Sequence, residues 1–230
     1  MRARALVVFA KEPHPGEVKT RLCPPLAPEQ AAELYGCMLD DVLEESGRTC
    51  ADAAAALFLT VHPAAAVPLL AQRLPRTGRA IAQHGADLAA RMTHAIGEAA
   101  AAGFDRIVLR GSDSPALPGD RLIAAFEALE DCDVVLSRDP DGGYALLGVR
   151  RPVLGLLDHA MSTDSVADDT LANARRLGLC TRELEPGFDI DTFDDLARLQ
   201  AVRSQLLGGL CRRTLERLDT EGWWPAEGAG

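Results

Sequence analysis

The 230-residue chain is 47% hydrophobic and 25% charged, an ordinary balance for a soluble globular protein, and it is long enough to bury a core. Its net charge of −10 excludes a general affinity for nucleic acid or anionic membrane, both of which reward clustered Lys and Arg. Any phosphate site must therefore be a local basic feature on an acidic body.

In chain order, the apolar run Ala5–Ala10 predicts a buried first strand; it is too short for a signal sequence and runs straight into charged residues. A proline-containing loop follows, and Pro28 opens a helix to about Ser46 with Leu34, Met38, Leu39, Val42 and Leu43 on one face. Ala55–Val61 reads as a second strand, a short helix starts at Pro63 or Pro68, and Asp87–Ala102 is a longer helix stopped by Gly103. Arg106–Leu109 is a third buried strand, Gly119–Glu130 a helix, and Asp133–Leu136 and Tyr144–Val149 are two further strands. Thr163–Leu177 is helical, Cys180–Leu184 a short strand, and a last helix runs from Thr192 toward Leu218. The tail 222–230 is expected to be poorly ordered, leaving one domain over 1–221. Strands alternating with helices predict an α/β fold, a mostly parallel sheet with helices on both faces, and ligands beyond the carboxyl ends of its strands.

Nothing approaches the ~18 consecutive apolar residues of a membrane span. The six cysteines (Cys23, Cys37, Cys50, Cys132, Cys180, Cys211) show no CxxC and no zinc spacing, so they read as reduced thiols and predict a cytoplasmic protein.

The strand ends carry the chemistry. After the first strand, Lys11, Lys19 and Arg21 fall within one short loop shaped by Gly16, where backbone amides could also face an anion. The GxxxxGK spacing of a P-loop is absent. Loop cations of this kind are expected to carry no core packing. After the third strand, Asp113 sits in the turn Gly111-Ser112-Asp113-Ser114-Pro115, a place suited to a metal ligand. Asp189 and Asp191 supply a second acidic group, and spacing does not choose between them; Thr192, Asp194 and Asp195 are explained by the helix start that follows. The turn Asp139-Pro140-Asp141-Gly142-Gly143 reads as a hairpin whose glycines would let a ligand approach the backbone.

Taken together, Lys19-Thr20-Arg21-Leu22, Gly111-Ser112-Asp113-Ser114-Pro115, Asp141-Gly142-Gly143-Tyr144 and Asp191-Thr192 resemble the rSAM/selenodomain-associated transferase family, some members of which are described as arsenosugar-biosynthesis glycosyltransferases. The resemblance runs from about Leu6 to Leu199 and implies the nucleotide-diphospho-sugar transferase superfamily with its GT-A fold. It departs from the family at Met161, where Trp is usual, and it lacks a strict Asp-x-Asp, since serines flank Asp113. Asp113 and Asp191 resemble the metal-binding pair of the KDO cytidylyltransferases, which chooses Asp191 over Asp189.

The combined reading is a Mg²⁺- or Mn²⁺-dependent transferase with a small-molecule acceptor, first a glycosyltransferase using a nucleotide-diphosphate sugar, alternatively a nucleotidyltransferase releasing pyrophosphate from a nucleoside triphosphate; a non-enzymatic nucleotide-binding module is the minor alternative. Lys11, Gly16, Lys19, Thr20, Arg21, Ser112, Gly142 and Gly143 would bind nucleotide and phosphate. Asp113 and Asp191 would hold the metal, and Asp113, Asp141 and Lys19 would be catalytic.

Overall fold

The computed structural model describes residues 3–206 and 208–225. Seven strands, β1 (Arg4–Lys11), β2 (Ala55–His62), β3 (Arg79–Ala82), β4 (Arg106–Gly111), β5 (Val134–Arg138), β6 (Tyr144–Val149) and β7 (Thr181–Leu184), form one sheet in the order β3-β2-β1-β4-β6-β5-β7. Only β6 runs antiparallel to its neighbours β4 and β5. The helices are α1 (Pro28–Asp52), α2 (Val67–Ala71), α3 (Leu88–Ala101), α4 (Gly119–Ala128), α5 (Val166–Arg176), α6 (Phe193–Val202) and α7 (Arg212–Glu221). The α/β class and the helix-covered, mostly parallel sheet expected from the sequence are what the chain forms.

Alternation along β1 shows how the sheet is covered. Leu6, Val8 and Ala10 pack with Leu39, Val42 and Leu43 of α1, Leu70 of α2 and Phe126 of α4. Ala5 and Val7 face the other side, with Met92 and Ile96 of α3 and Leu171 of α5. Burying a side chain of this size contributes roughly 1.5–3 kcal/mol, so a one-residue slip of β1 would be costly on both faces. A third cluster joins Leu34 and Met38 of α1 to Leu196 and Leu199 of α6 and Leu218 of α7, and it includes Leu22 from the loop after β1. That anchor fixes the loop on which Lys19 and Arg21 stand.

Several boundaries differ from the sequence reading. α1 continues to Asp52, and β3 is an additional strand. The single last helix is broken: α6 ends at Val202, a 3₁₀ turn covers Arg203–Gln205, and α7 restarts at Arg212 after Gly208 and Gly209, both at positive φ. Within the stretch expected as a loose tail from Gly222, Trp223 N donates to Leu218 O and Trp224 Nε1 to Asp219 Oδ1 at 2.7 Å. Residues 226–230 lie outside the described residues. Among the described residues, no helix is long and apolar enough to cross a membrane.

Candidate functional site

β1 and β4 are parallel neighbours, with Phe9 opposite Gly111, so the loops that follow them emerge at the same edge of the sheet. The loop after β1 turns at Gly16 and returns to the edge at Lys19, whose φ of 49° and ψ of 36° place a non-glycine residue in the left-handed region. That backbone costs on the order of 1 kcal/mol, and the side chain's surroundings hold it there. Lys19 is almost fully buried; its ammonium forms an ion pair with Asp113 and lies 2.8 Å from Asp191 Oδ1. Burial alone would lower the Lys19 pKa, but the charges of Asp113 and Asp191 outweigh it and raise it, so the ammonium stays charged. Arg21 Nη1 stands 3.9 Å from Asp191 Oδ2 with two-thirds of its side chain in solvent.

Asp113 and Asp191 therefore converge although they are remote in sequence. The backbone shows why: Ile190 N donates to Asp113 O at 2.8 Å, and buried Ile190 anchors the segment in the third hydrophobic cluster. Asp195 fixes the other side of Asp191, its Oδ2 accepting from the backbone N–H groups of Asp191 and Thr192 at 3.1 and 2.8 Å. Asp189 is occupied differently. Its carboxylate is bonded by the Ser114 hydroxyl, and its own N–H donates to Asp139 Oδ2 at 2.6 Å. Burial, then the nearby Asp113 charge, push the Asp189 carboxyl up to about 8. Asp139, also buried, is pushed up to about 6, chiefly by desolvation.

Ser112 is buried, its hydroxyl 2.7 Å from Tyr35 Oη, which accepts from Lys11 N at 2.9 Å. Tyr35 thus clamps the end of β1 to the turn after β4. Its phenol is pushed up to about 12 by burial, so it acts as a neutral spacer.

Tyr35 and Asp189 line one cleft of about 800 Å³ together with most of the predicted site residues. Lys11, Lys19, Thr20, Arg21, Ser112, Asp113, Asp141, Gly143 and Asp191 all contribute to its wall. Gly16 and Gly142 do not. Gly16 is exposed, and its φ of +80° serves the turn closed by Glu17 N to His14 O at 3.1 Å. Gly142 does need to lack a side chain, but not to admit a ligand: at φ +93°, a Cβ would sit 1.9 Å from Asp164 O. At Gly142 the close approach is made by the chain's own backbone, whereas Gly143 lines the cleft. Asp141 is exposed, with Oδ1 accepting from Gly143 N at 2.8 Å. Lys19 also departs from expectation, being packed rather than solvated.

Four further parts of the wall carried little signal in the sequence. Gln83 follows β3 and donates to Ala10 O and Thr60 O at 3.2 and 2.9 Å. Arg91 lies in the first turn of α3, beside Asp87, which caps that helix by accepting from Ala90 N. Tyr35 was hidden in the apolar face of α1, and Ser162–Asp164 lay around the helix start expected at Thr163, next to Met161, which stood out only as the position where the family usually has Trp. The Gly85–Asp87 stretch was the available clue to α3's position: a Cβ on Gly85 would meet Arg91 N at 2.6 Å.

The donor set fits a hard divalent cation. Among the described residues, no group of three or more His, Cys, Asp or Glu side chains forms an all-protein cage. Mg²⁺ needs none, since one or two carboxylates suffice when water and phosphate complete the shell. Asp113 and Asp191 against Lys19 and Arg21 leave these four groups with no net positive charge for a diphosphate, which an added cation would supply.

The fold is that of the nucleotide-diphospho-sugar transferases and cytidylyltransferases. A Desulfovibrio desulfuricans G20 protein provisionally described as a nucleotide-diphospho-sugar transferase is 30% identical and superposes with a TM-score of 0.84, covering 98% of this chain and 100% of that one. CMP:2-keto-3-deoxy-manno-octonic acid synthetase complexed with CTP is 14% identical, with a TM-score of 0.52 over 89% of this chain and 100% of that one. The 4-diphosphocytidyl-2C-methyl-D-erythritol synthase of Anaerococcus prevotii DSM 20548 is 8% identical, with a TM-score of 0.57 over 87% and 99%. Residues 46–163 match the family described as an uncharacterized protein conserved in bacteria, DUF2064, and the chain belongs to that family. Among curated proteins none matches the sequence.

Proposed function

We propose that this protein is a transferase that takes a nucleotide-diphosphate sugar into the cleft and passes its glycosyl group to a small-molecule acceptor. The carrying observation is the meeting of Asp113, Asp191 and Lys19 at the carboxyl ends of parallel strands, with Arg21 at the rim. The 30% identical neighbour supports the same class of substrate, and the likeness to the rSAM/selenodomain-associated transferases belongs to this reading.

Asp113 and Asp191 would hold Mg²⁺ or Mn²⁺, which supplies Lewis-acid stabilisation of charge on a leaving diphosphate. Lys19 holds the two carboxylates in place and keeps their mutual repulsion in check. Arg21 and Lys11, free of the packed core, meet phosphate oxygens. Ser112, clamped by Tyr35, fixes the turn that presents Asp113. Asp141, exposed on the cleft wall, would accept a proton from the acceptor or bind a sugar hydroxyl.

A second reading is nucleotidyl transfer from a nucleoside triphosphate. It is favoured by Asp113 standing alone between Ser112 and Ser114, without an Asp-x-Asp, and by the cytidylyltransferases among the fold's neighbours. Leaving groups separate the two: glycosyl transfer releases a nucleoside diphosphate and nucleotidyl transfer releases pyrophosphate. A thermal-shift panel of nucleotides and nucleotide sugars, with and without Mn²⁺, followed by product analysis on the best binder, is the test. A Tm that ignores every nucleotide, with or without Mn²⁺, would remove both readings.

A further inference from the structure

Cys132 and Cys180 are far apart in sequence, yet their sulfurs lie 3.1 Å apart. Cys132 follows α4 and is buried; Cys180 precedes β7 and is exposed. The backbones around them are pinned. Asp133 N and Val134 N both donate to Cys180 O, at 2.9 and 3.0 Å, and Cys180 N donates to Asp133 Oδ2 at 3.0 Å. These bonds sit where β5 and β7 begin to pair in parallel, Val134 opposite Thr181. The thiols are therefore held together by the sheet itself, only about 1 Å beyond the ~2.05 Å of a sulfur–sulfur bond.

We propose that Cys132 and Cys180 form an oxidation site, a dithiol that closes to a disulfide with a low-molecular-weight disulfide such as oxidised glutathione as the oxidant. The exposed Cys180 thiolate attacks one glutathione sulfur, forming a mixed disulfide and releasing one glutathione. Cys132 then loses its proton to solvent, and its thiolate attacks Cys180 Sγ. The mixed disulfide breaks and the second glutathione leaves. Two protein thiols have given up two protons and two electrons, and the oxidant has become two glutathione molecules. The cross-link would tie the α4–β5 junction to the edge strand β7, which runs on into the segment carrying Asp189 and Asp191. It also closes a long loop in the unfolded chain, so the oxidised protein should be the more stable form.

The test is incubation of the folded protein in glutathione buffers of graded oxidation, followed by acid quench, intact-mass measurement, peptide mapping and thermal melting. The expected product is two hydrogens lighter, maps to a Cys132–Cys180 cross-link, melts several degrees higher, and reverts with dithiothreitol. Cys180→Ser, a change at an exposed position, should abolish both the mass loss and the Tm gain. Cys132→Ser should stop at one glutathionyl adduct on Cys180. A wild-type protein that stays glutathionylated at Cys180 without closing, keeps both thiols free under oxidising ratios, or cross-links other cysteines would overturn the proposal.

Discussion

Lys19 and Arg21 stand two residues apart and do different work. Lys19 is buried between two carboxylates, so Lys19→Ala would leave Asp113 and Asp191 facing each other uncompensated. A loss of about 1–3 kcal/mol in chemical denaturation is expected, because the buried ammonium is lost while both carboxylates, each more than a third exposed, keep solvent. Arg21 is largely in solvent, and Arg21→Ala should change stability by less than about 0.5 kcal/mol. Its effect should appear in calorimetry instead, as nucleotide affinity weaker by about 1–3 kcal/mol. Equal stability losses in the two variants would contradict the buried position of Lys19. A parallel contrast applies to the acids. Both line the cleft, but Asp189 is engaged with Ser114 and its backbone with Asp139, whereas Asp191 stands beside Arg21. In Mn²⁺ titrations with nucleotide present, Asp191→Asn should weaken metal binding more than Asp189→Asn; the reverse order would move the second ligand two residues upstream.

At the scale of elements, the loops are held by their own backbone needs. The β5–β6 turn depends on Gly142, where both a positive φ and the approach of Asp164 exclude a side chain. Gly142→Ala should therefore cost more than about 3 kcal/mol in equilibrium unfolding, while Gly16→Ala, strained in φ but facing open space, should cost only about 1 kcal/mol. Equal costs would mean that the segment around Asp164 yields easily. The strands that were legible, such as β1 and β4, are continuous apolar runs buried on both faces. β3 was not legible, because Arg79–Ala82 is a four-residue edge strand whose only sheet neighbour is β2. The antiparallel β5–β6 pair was legible as a hairpin in the Asp139–Gly143 turn, but the insertion of β6 between β4 and β5 is a matter of pairing that local pattern does not encode. The same holds in the cleft. The acids and bases could be picked out by residue type and position at strand ends. The Lys19–Asp191 bond, by contrast, joins residues 172 positions apart and exists only once Ile190 is anchored.

Across the whole molecule, buried carboxylates couple stability to pH, and Asp139 gives a sign that can be checked. It is 7% exposed and accepts from Asp141 N and Asp189 N at 3.0 and 2.6 Å. Those bonds favour the ionised form, but desolvation outweighs them and lifts the carboxyl from the ordinary 3.8 to about 6. The folded state therefore holds a proton between about pH 4 and 6 that the unfolded chain has released. Stability from this group is complete below about pH 4 and declines as pH rises through about 6, by at most about 3 kcal/mol. Glu44, whose pKa is lowered first by its bond to Arg213, and Asp219, lowered first by Arg203, act in the opposite sense and lose their contribution as pH falls. The total curve therefore blends both signs, and the Asp139 part must be read as a difference. Asp139→Asn removes the titration and one acceptor, so it should carry a fixed cost plus a pH-dependent one. The stability of the wild type over this variant should shrink between pH 4 and pH 6 when both are unfolded in urea. A difference that stays flat, or grows, over that window would place the Asp139 carboxyl at or below its ordinary value and make it a plain ionised acceptor for the two backbone amides.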